Sequence, residues 1–228
     1  MKPARKPAAA SEGYRKGEEA RQRILAAALK AFGTHGFKGA TTRQIAEDAE
    51  VNLPALQYYF GDKEGLYRAC AREIVGRYEK HMLSLVVGAY RDVQAGMAPA
   101  DARERLKQVM SALASLLVDD PEAEIWSSFV LREMADRGPA FAILYEQLWA
   151  PGVELTSGLV SRALGERSVS QAARIEALLL ISSLSAFSTA RPVSLKYLQW
   201  PDAGDTRFAR VRRVIEAQID RIGKITTC

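Results

Sequence analysis

Few side chains in this sequence can do covalent chemistry. Cys70, Cys228, His35 and His81 are its whole supply of thiols and imidazoles. The two cysteines are too distant in sequence for a metal knuckle and too few for a disulfide framework. No spacing pairs a nucleophile with a base, so an all-α enzyme with an aromatic pocket is the weaker of the available readings. Neither a metal nor a cofactor is expected. Noncovalent recognition is better provided for. Lys plus Arg exceeds Asp plus Glu by 32 to 27, and residues 1–63 hold 11 of the former against 7 of the latter. Most of the surplus of +5 therefore lies in the first quarter of the chain, which permits an anionic partner there without requiring one. Further along, Trp126, Phe129, Tyr145 and Trp149 concentrate aromatic area. His81 interrupts an apolar stripe, and Arg132 and Glu133 stand between the aromatics. Apolar walls with a few polar groups suit a small-molecule site. The same aromatics serve equally as core, Arg132 and Glu133 as a structural ion pair, and His81 as a satisfied core histidine.

The elements that must position these groups are helices throughout. Apolar residues make up 48% of the chain, enough for a sizeable core. Nearly everything after Glu18 has a helical period, and no stretch alternates as a strand does. Residues 1–17 read as a basic, flexible tail carrying Lys2, Arg5, Lys6, Arg15 and Lys16. Leu25, Ala28, Leu29 and Phe32 line the first helix, and Gly33 with Gly36 marks its end. Thr41-Thr42-Arg43-Gln44 is a capping box that opens a short helix over 42–49. A turn at Glu50-Val51 follows, and then a third helix over 53–60 with Asn52 as cap and Pro54 in its first turn. Asp62 caps a long fourth helix whose stripe runs Leu66, Cys70, Ile74, His81 and Leu85. Helices then follow over about 99–118, 121–137 after Asp120-Pro121, 139–165 with a kink at Pro151, 169–190, and 205–223. The fold class is all-α, with about nine helices. The domains are expected at 18–63 and 64–228.

The pair 42–49 and 53–60 has the dimensions of a helix-turn-helix, with Ile45, Ala46, Ala49, Val51 and Leu56 to be buried against the first helix. The sequence around it resembles the TetR family of bacterial transcriptional regulators. The match runs from Arg23-Ile24-Leu25-Ala26-Ala27-Ala28 through Phe32, Gly36-Phe37, Thr41-Thr42, Ile45-Ala46, Ala49 and Val51-Asn52. It continues through Leu56 and Tyr58-Tyr59-Phe60 to Lys63-Glu64-Gly65-Leu66-Tyr67. The resemblance implies that Thr42 and Arg43 contact backbone and groove, and that Leu53, Pro54 and Ala55 reach base edges. It also implies that Tyr58 and Tyr59 touch the flanking sugar-phosphate, and that Lys63 binds a phosphate. For the two tyrosines, core packing is the alternative. Two positions depart from the family pattern. Glu50 stands where Gly is usual, which would place a non-Gly residue at positive φ at a cost of roughly 1 kcal/mol. Gln57 stands where an aromatic is usual, and can bond phosphate or read adenine. The apolar triplet Leu53-Pro54-Ala55 suits thymine methyls.

The later segment Phe129-Val130-Leu131-Arg132-Glu133, with Gly138-Pro139, Glu146, Pro151 and Leu159-Val160, resembles the C-terminal domain of CecR-like members. The family resemblance implies a ligand-responsive regulator, a repressor that a small-molecule inducer releases from a near-palindromic operator. Its partners would be operator DNA, an unidentified and partly apolar effector, and a second copy of the chain. Ile175, Leu178, Leu179 and Phe187, and the stripe Phe208, Val211, Ile215, Ile219 and Ile222, would pair helices 169–190 and 205–223 between two chains. Completion of the monomer core is the alternative for both. A DNA-binding protein without a small-molecule ligand is a further one. The longest apolar run, Ala177 to Phe187, is far short of the roughly 20 residues of a membrane span. Residues 1–17 contain no apolar signal segment. A cytoplasmic location without membrane association is expected.

Overall fold

The computed structural model describes residues 8–118, 123–201 and 205–224. The basic residues Lys2, Arg5 and Lys6, the Asp120-Pro121 helix start and Cys228 lie outside them. All described elements are helical. Helix α1 runs Ala8–Gly39, so residues 8–17 are not the tail that their lack of periodicity suggests. Ala8-Ala9-Ala10 has the highest helix propensity available, and propensity leaves no trace in an amphipathic pattern. The first helix does end where Gly33 and Gly36 mark it. It breaks at Gly36 (φ 70°, ψ 177°) and resumes to Gly39.

Three short-range devices build the next elements. Thr41 Oγ1 accepts the Gln44 N–H at 3.2 Å and opens α2 (Thr42–Asp48). Only half of the capping box forms, because the Gln44 amide donates forward to Asp48 at 2.8 Å. Asn52 Oδ1 accepts the Ala55 N–H at 2.8 Å and opens α3 (Leu53–Phe60), with Pro54 in its first turn where no N–H is needed. Between them Glu50 takes φ 54°, the left-handed conformation its position predicts. Asp62 caps α4 (Lys63–Ala95) through the Gly65 N–H at 2.7 Å. A Cβ on Gly65 would lie 2.1 Å from the Phe60 carbonyl oxygen, so the tight α3–α4 junction needs glycine there. Ile24, Leu25, Phe32, Ile45, Ala46 and Leu56 meet as one core. Burial of each larger side chain stabilises by about 1.5–3 kcal/mol. Arg23 Nε donates to the Ala49 carbonyl at 3.2 Å and ties the end of α2 to α1.

The remaining helices are α5 (Pro99–Val118), α6 (Ala123–Asp136), α7 (Phe141–Leu144), α8 (Ala150–Ala163), α9 (Gln171–Ser183), α10 (Arg191–Tyr197) and α11 (Asp205–Arg221). The expected 139–165 helix is thus divided. A π turn, Tyr145–Trp149, separates α7 from α8 just before Pro151. Proline has no N–H and crowds the carbonyl four residues back, and the wider turn relieves both. The expected 169–190 helix ends at Ser183, passes through a 3-10 turn at Leu184–Ala186, and is followed by α10, which the apolar period did not reveal. Among the described residues eleven α-helices stand where about nine were expected.

The α4 stripe continues from Ile74 through Tyr78 and Met82 to Ala89. His81 is exposed beside it, its Nδ1 bonded to the Arg77 carbonyl at 2.8 Å. One residue is about 100° of helix, which carries His81 off the stripe. The α11 stripe Phe208, Val211, Ile215, Ile219 and Ile222 is buried within the chain, where α11 packs on α5. Arg103 secures that corner by donating to the carbonyls of Ala163 (3.0 Å) and Ile222 (3.2 Å). The alternative reading of α11, completion of the monomer core, therefore describes its stripe. On α9, by contrast, Ile175, Leu178 and Leu179 are exposed.

Candidate DNA interface and ligand cavity

Helix α3 divides cleanly into two faces. Leu56 is fully buried and Phe60 half-buried, while Leu53, Pro54, Gln57 and Tyr58 are exposed. Tyr58 is 84% exposed, so it contributes nothing to the core. Its ring meets only the edge of Tyr59, at 5.2 Å. Tyr59 is half-buried, with its hydroxyl lying beside Gly17 of α1. Ala55 and Thr42 are also half-buried. Arg43 is exposed and paired only loosely with Glu47, at 3.4 Å. Lys63 is half-buried, its ammonium 5.0 Å from the centre of the Phe37 ring and 3.4 Å from the Lys38 carbonyl. These nine residues lie on α2, α3 and the start of α4.

A second site lies in the larger part of the chain. A cavity of about 370 Å³ opens between α4, α5, α6, the π turn, α8 and the end of α9. Its walls are mainly apolar, among them Met82, Leu113, Val130 and Leu155. Two hydroxyls on the walls, Ser127 Oγ and Thr189 Oγ1, are buried and lack a hydrogen-bond partner. Buried polar groups are normally satisfied, so this pair is an exception within the wall. The walls hold Tyr78, whose phenol burial pushes well above its ordinary pKa. The size falls at the low end of the range typical of small-molecule sites.

Of the seven residues expected in a pocket, only Trp149 lines this cavity. Trp126 is buried behind it, edge-on to Tyr78 at 5.4 Å. Tyr145 is half exposed and stacks on Phe141. Arg132 is exposed; its side chain passes over Gly36 and reaches the Thr34 carbonyl at 3.4 Å. It does not pair with Glu133. His81, as noted, is on the outside. Phe129 and Glu133 are buried in the joint between α6 and α4. There Phe129 packs on Tyr67 with ring centres 4.6 Å apart, and Tyr67 donates to Glu133 Oε2 at 2.7 Å. The Ala140 N–H donates to the other carboxylate oxygen at 2.6 Å. Burial, reinforced by the adjacent carboxylate, raises the Tyr67 pKa, so its hydroxyl keeps the proton it donates. The aromatic count located the right helices but not their cavity-facing sides. The cavity residues missed, Ser127 and Thr189 above all, carry no sequence signal, since a serine or threonine among apolar residues reads as ordinary helix packing.

Helix α6 links the two sites. Ser127, Val130 and Leu131 face the cavity, while Ile125, Phe129, Arg132 and Glu133 meet α1 and α4. Among the described residues no cluster of His, Cys, Asp or Glu is arranged to hold a metal ion. No single described helix is long and apolar enough to cross a membrane.

Residues 24–70 match the family model for bacterial regulatory proteins of the tetR family. Residues 102–224 match that of the C-terminal domain of the HTH-type transcriptional dual regulator CecR. The HTH-type transcriptional dual regulator CecR of Shigella flexneri is 29% identical over 208 residues, covering 91% of this chain and 92% of that protein. The HTH-type nicotine-responsive transcriptional repressor HdnoR of Paenarthrobacter nicotinovorans is 26% identical, covering 89% and 95%. Among solved structures, the transcriptional regulator FadR from Bacillus subtilis in complex with stearoyl-CoA aligns with a TM-score of 0.58 at 18% identity, over 90% of this chain and all of that one.

Proposed function

Since the chain belongs to the TetR family of bacterial transcriptional regulators, with a C-terminal domain of the CecR type, we propose that it is a repressor that a small molecule releases from a near-palindromic operator. The exposed outer face of α3, with Tyr58 held in solvent, carries the DNA part of this reading. Two copies would present their α3 helices to successive major grooves, about 34–36 Å apart. Leu53, Pro54 and Ala55 would meet base edges. Gln57, Tyr58, Tyr59, Thr42, Arg43 and Lys63 would hold the flanking backbone and set the register. Residues 18–63 serve as the DNA-binding unit and 64–228 as the ligand and dimerisation unit, with α4 continuing from one into the other. The exposed apolar stripe Ile175, Leu178 and Leu179 on α9 is the surface that fits a second copy. The outer face of α11 would add to it, its own stripe being used inside the chain. The site of action is the cytoplasm, where the DNA is.

The cavity supports the ligand part, as do the nicotine-responsive relative and the FadR neighbour with its stearoyl-CoA. A ligand pressing on Val130 and Ser127 displaces α6. Through Glu133 and Tyr67 the displacement passes to α4, and through the α4 N-terminus to the spacing of the two α3 helices. Repression ends because only one spacing fits the operator, so a ligand that favours the other state shifts the population.

Gel shifts with the region upstream of the protein's own operon test the proposal. Tyr59→Ala and Lys63→Ala should each weaken binding while leaving a folded dimer. Unchanged affinity in both variants would sink the contact assignment, and no preference of the unmodified protein over random DNA would sink the function.

A further inference from the structure

The charge of the cavity wall restricts what can enter it, given the ligand-responsive reading above. Among the described residues its lining includes no Lys, Arg or His. The one carboxylate among the described lining residues is Glu79, which is exposed and so stands at the mouth beside exposed Leu83. Deeper in are the apolar walls and the two unpartnered hydroxyls of Ser127 and Thr189. A carboxylate or phosphate drawn into this space would give up its water and meet no cation in exchange, which buried anions do not tolerate. It would also pass a like charge on the way in. An amine suffers neither penalty if its hydrocarbon body occupies the apolar space and its ammonium stays at the mouth, half in water and next to Glu79.

We propose that the cavity binds an apolar organic cation: the amine rests at Glu79, the hydrocarbon body lies against the apolar walls, and any polar atom of that body is met by Ser127 and Thr189. The same geometry rejects carboxylates, phosphates and coenzyme A thioesters of equal apolar length. Two independent observations support this assignment. The apolar cavity, with two unpartnered hydroxyls in its wall, offers room for a molecule, and the lining charges select its sign.

The test titrates the intact dimer with decylamine, decanol, decanoate and decanoyl-coenzyme A below their aggregation concentrations. Binding is followed by calorimetry and by quenching of tryptophan fluorescence, since Trp149 lines the cavity. Decylamine should bind about threefold to tenfold more tightly than decanol, the scale of one partly screened ion pair. Decanoate and the thioester should bind at least about tenfold more weakly than decanol. Glu79→Gln should bring decylamine to the level of decanol and leave decanol unchanged. Val130→Trp, which fills the cavity, should abolish binding of all probes. Decanoate or the thioester matching decylamine, with Val130→Trp still blocking, would refute the charge assignment while keeping the cavity as the ligand site. Binding that Val130→Trp leaves intact, or no binding by any probe, would overturn the cavity reading itself.

Discussion

Tyr67→Phe removes one oxygen atom from the joint between the DNA-binding unit and the cavity. Tyr67 and Glu133 are 2% and 1% exposed, and the hydroxyl donates to the carboxylate at 2.7 Å. The ring itself stays, with Phe32, Phe37 and Phe129 at centroid distances of 4.8, 5.0 and 4.6 Å. Packing is thus conserved, and what is lost is a hydrogen bond to a charged, buried acceptor, worth about 1.5–3 kcal/mol. Afterwards the carboxylate keeps the Ala140 N–H. Against a typical total of about 5–15 kcal/mol that is a large fraction. For a chain of this size it amounts to a fall in Tm of roughly 3–12 °C. Denaturant and thermal unfolding at one fixed protein concentration would measure it, since dimerisation makes apparent stability concentration-dependent. Glu133→Gln offers the second corner of a cycle, because Tyr67 and Ala140 donate to different oxygens of Glu133 and the amide replaces one of these with an NH2 group that cannot accept. The double variant should cost less than the two single costs added, by about 1 kcal/mol or more. A loss below about 0.5 kcal/mol in Tyr67→Phe, or strict additivity in the cycle, would refute the view that this bond joins α4 to α6.

Four other outcomes follow from the geometry. Gly65→Ala forces a Cβ to within 2.1 Å of a backbone oxygen; it should cost more than about 3 kcal/mol and show as loss of soluble folded protein, whereas Gly76→Ala, with open space around it, should be mild. Glu50→Gly relieves a left-handed φ of 54° and should stabilise by up to about 1 kcal/mol in denaturant unfolding, with operator affinity retained. Lys63→Ala should reduce the slope of log affinity against log salt by about 0.9, whereas Tyr58→Ala should weaken binding with the slope unchanged. Leu179→Glu places a charge in the exposed α9 stripe and should shift the protein toward monomer in analytical ultracentrifugation, lowering operator affinity at nanomolar protein.

How far the structure could be read in advance depended on the range of the interactions involved. Asn52, Asp62 and Thr41 cap the helices they precede because a cap bond spans three residues. Glu50 takes its positive φ because a tight turn between two helices dictates local backbone geometry. The outward face of α3 was legible for the same reason: three helices with one core leave little choice of which side of an eight-residue helix is buried. The later helices were legible as helices, although Pro151 reorganised five residues into a π turn where a simple kink was expected.

What could not be read was the destination of each buried side chain. A 3.6-residue period says that Phe208, Val211, Ile215 and Ile219 must leave water, but it is indifferent to whether α5 of the same chain or a second copy covers them. The fold chose α5. The period likewise marks Trp126, Phe129 and Glu133 as inward-facing, yet α6 has neighbours on both sides. Only their placement directs Phe129 and Glu133 to α4 and leaves Ser127 and Val130 facing the cavity. The sequence by itself determined the family, the helix-turn-helix and its caps, because those are local patterns of residue type and spacing. The cavity, its missing cations and the Tyr67–Glu133 joint belong to the tertiary structure alone, because each is made by residues far apart in the chain whose meeting no local interaction specifies.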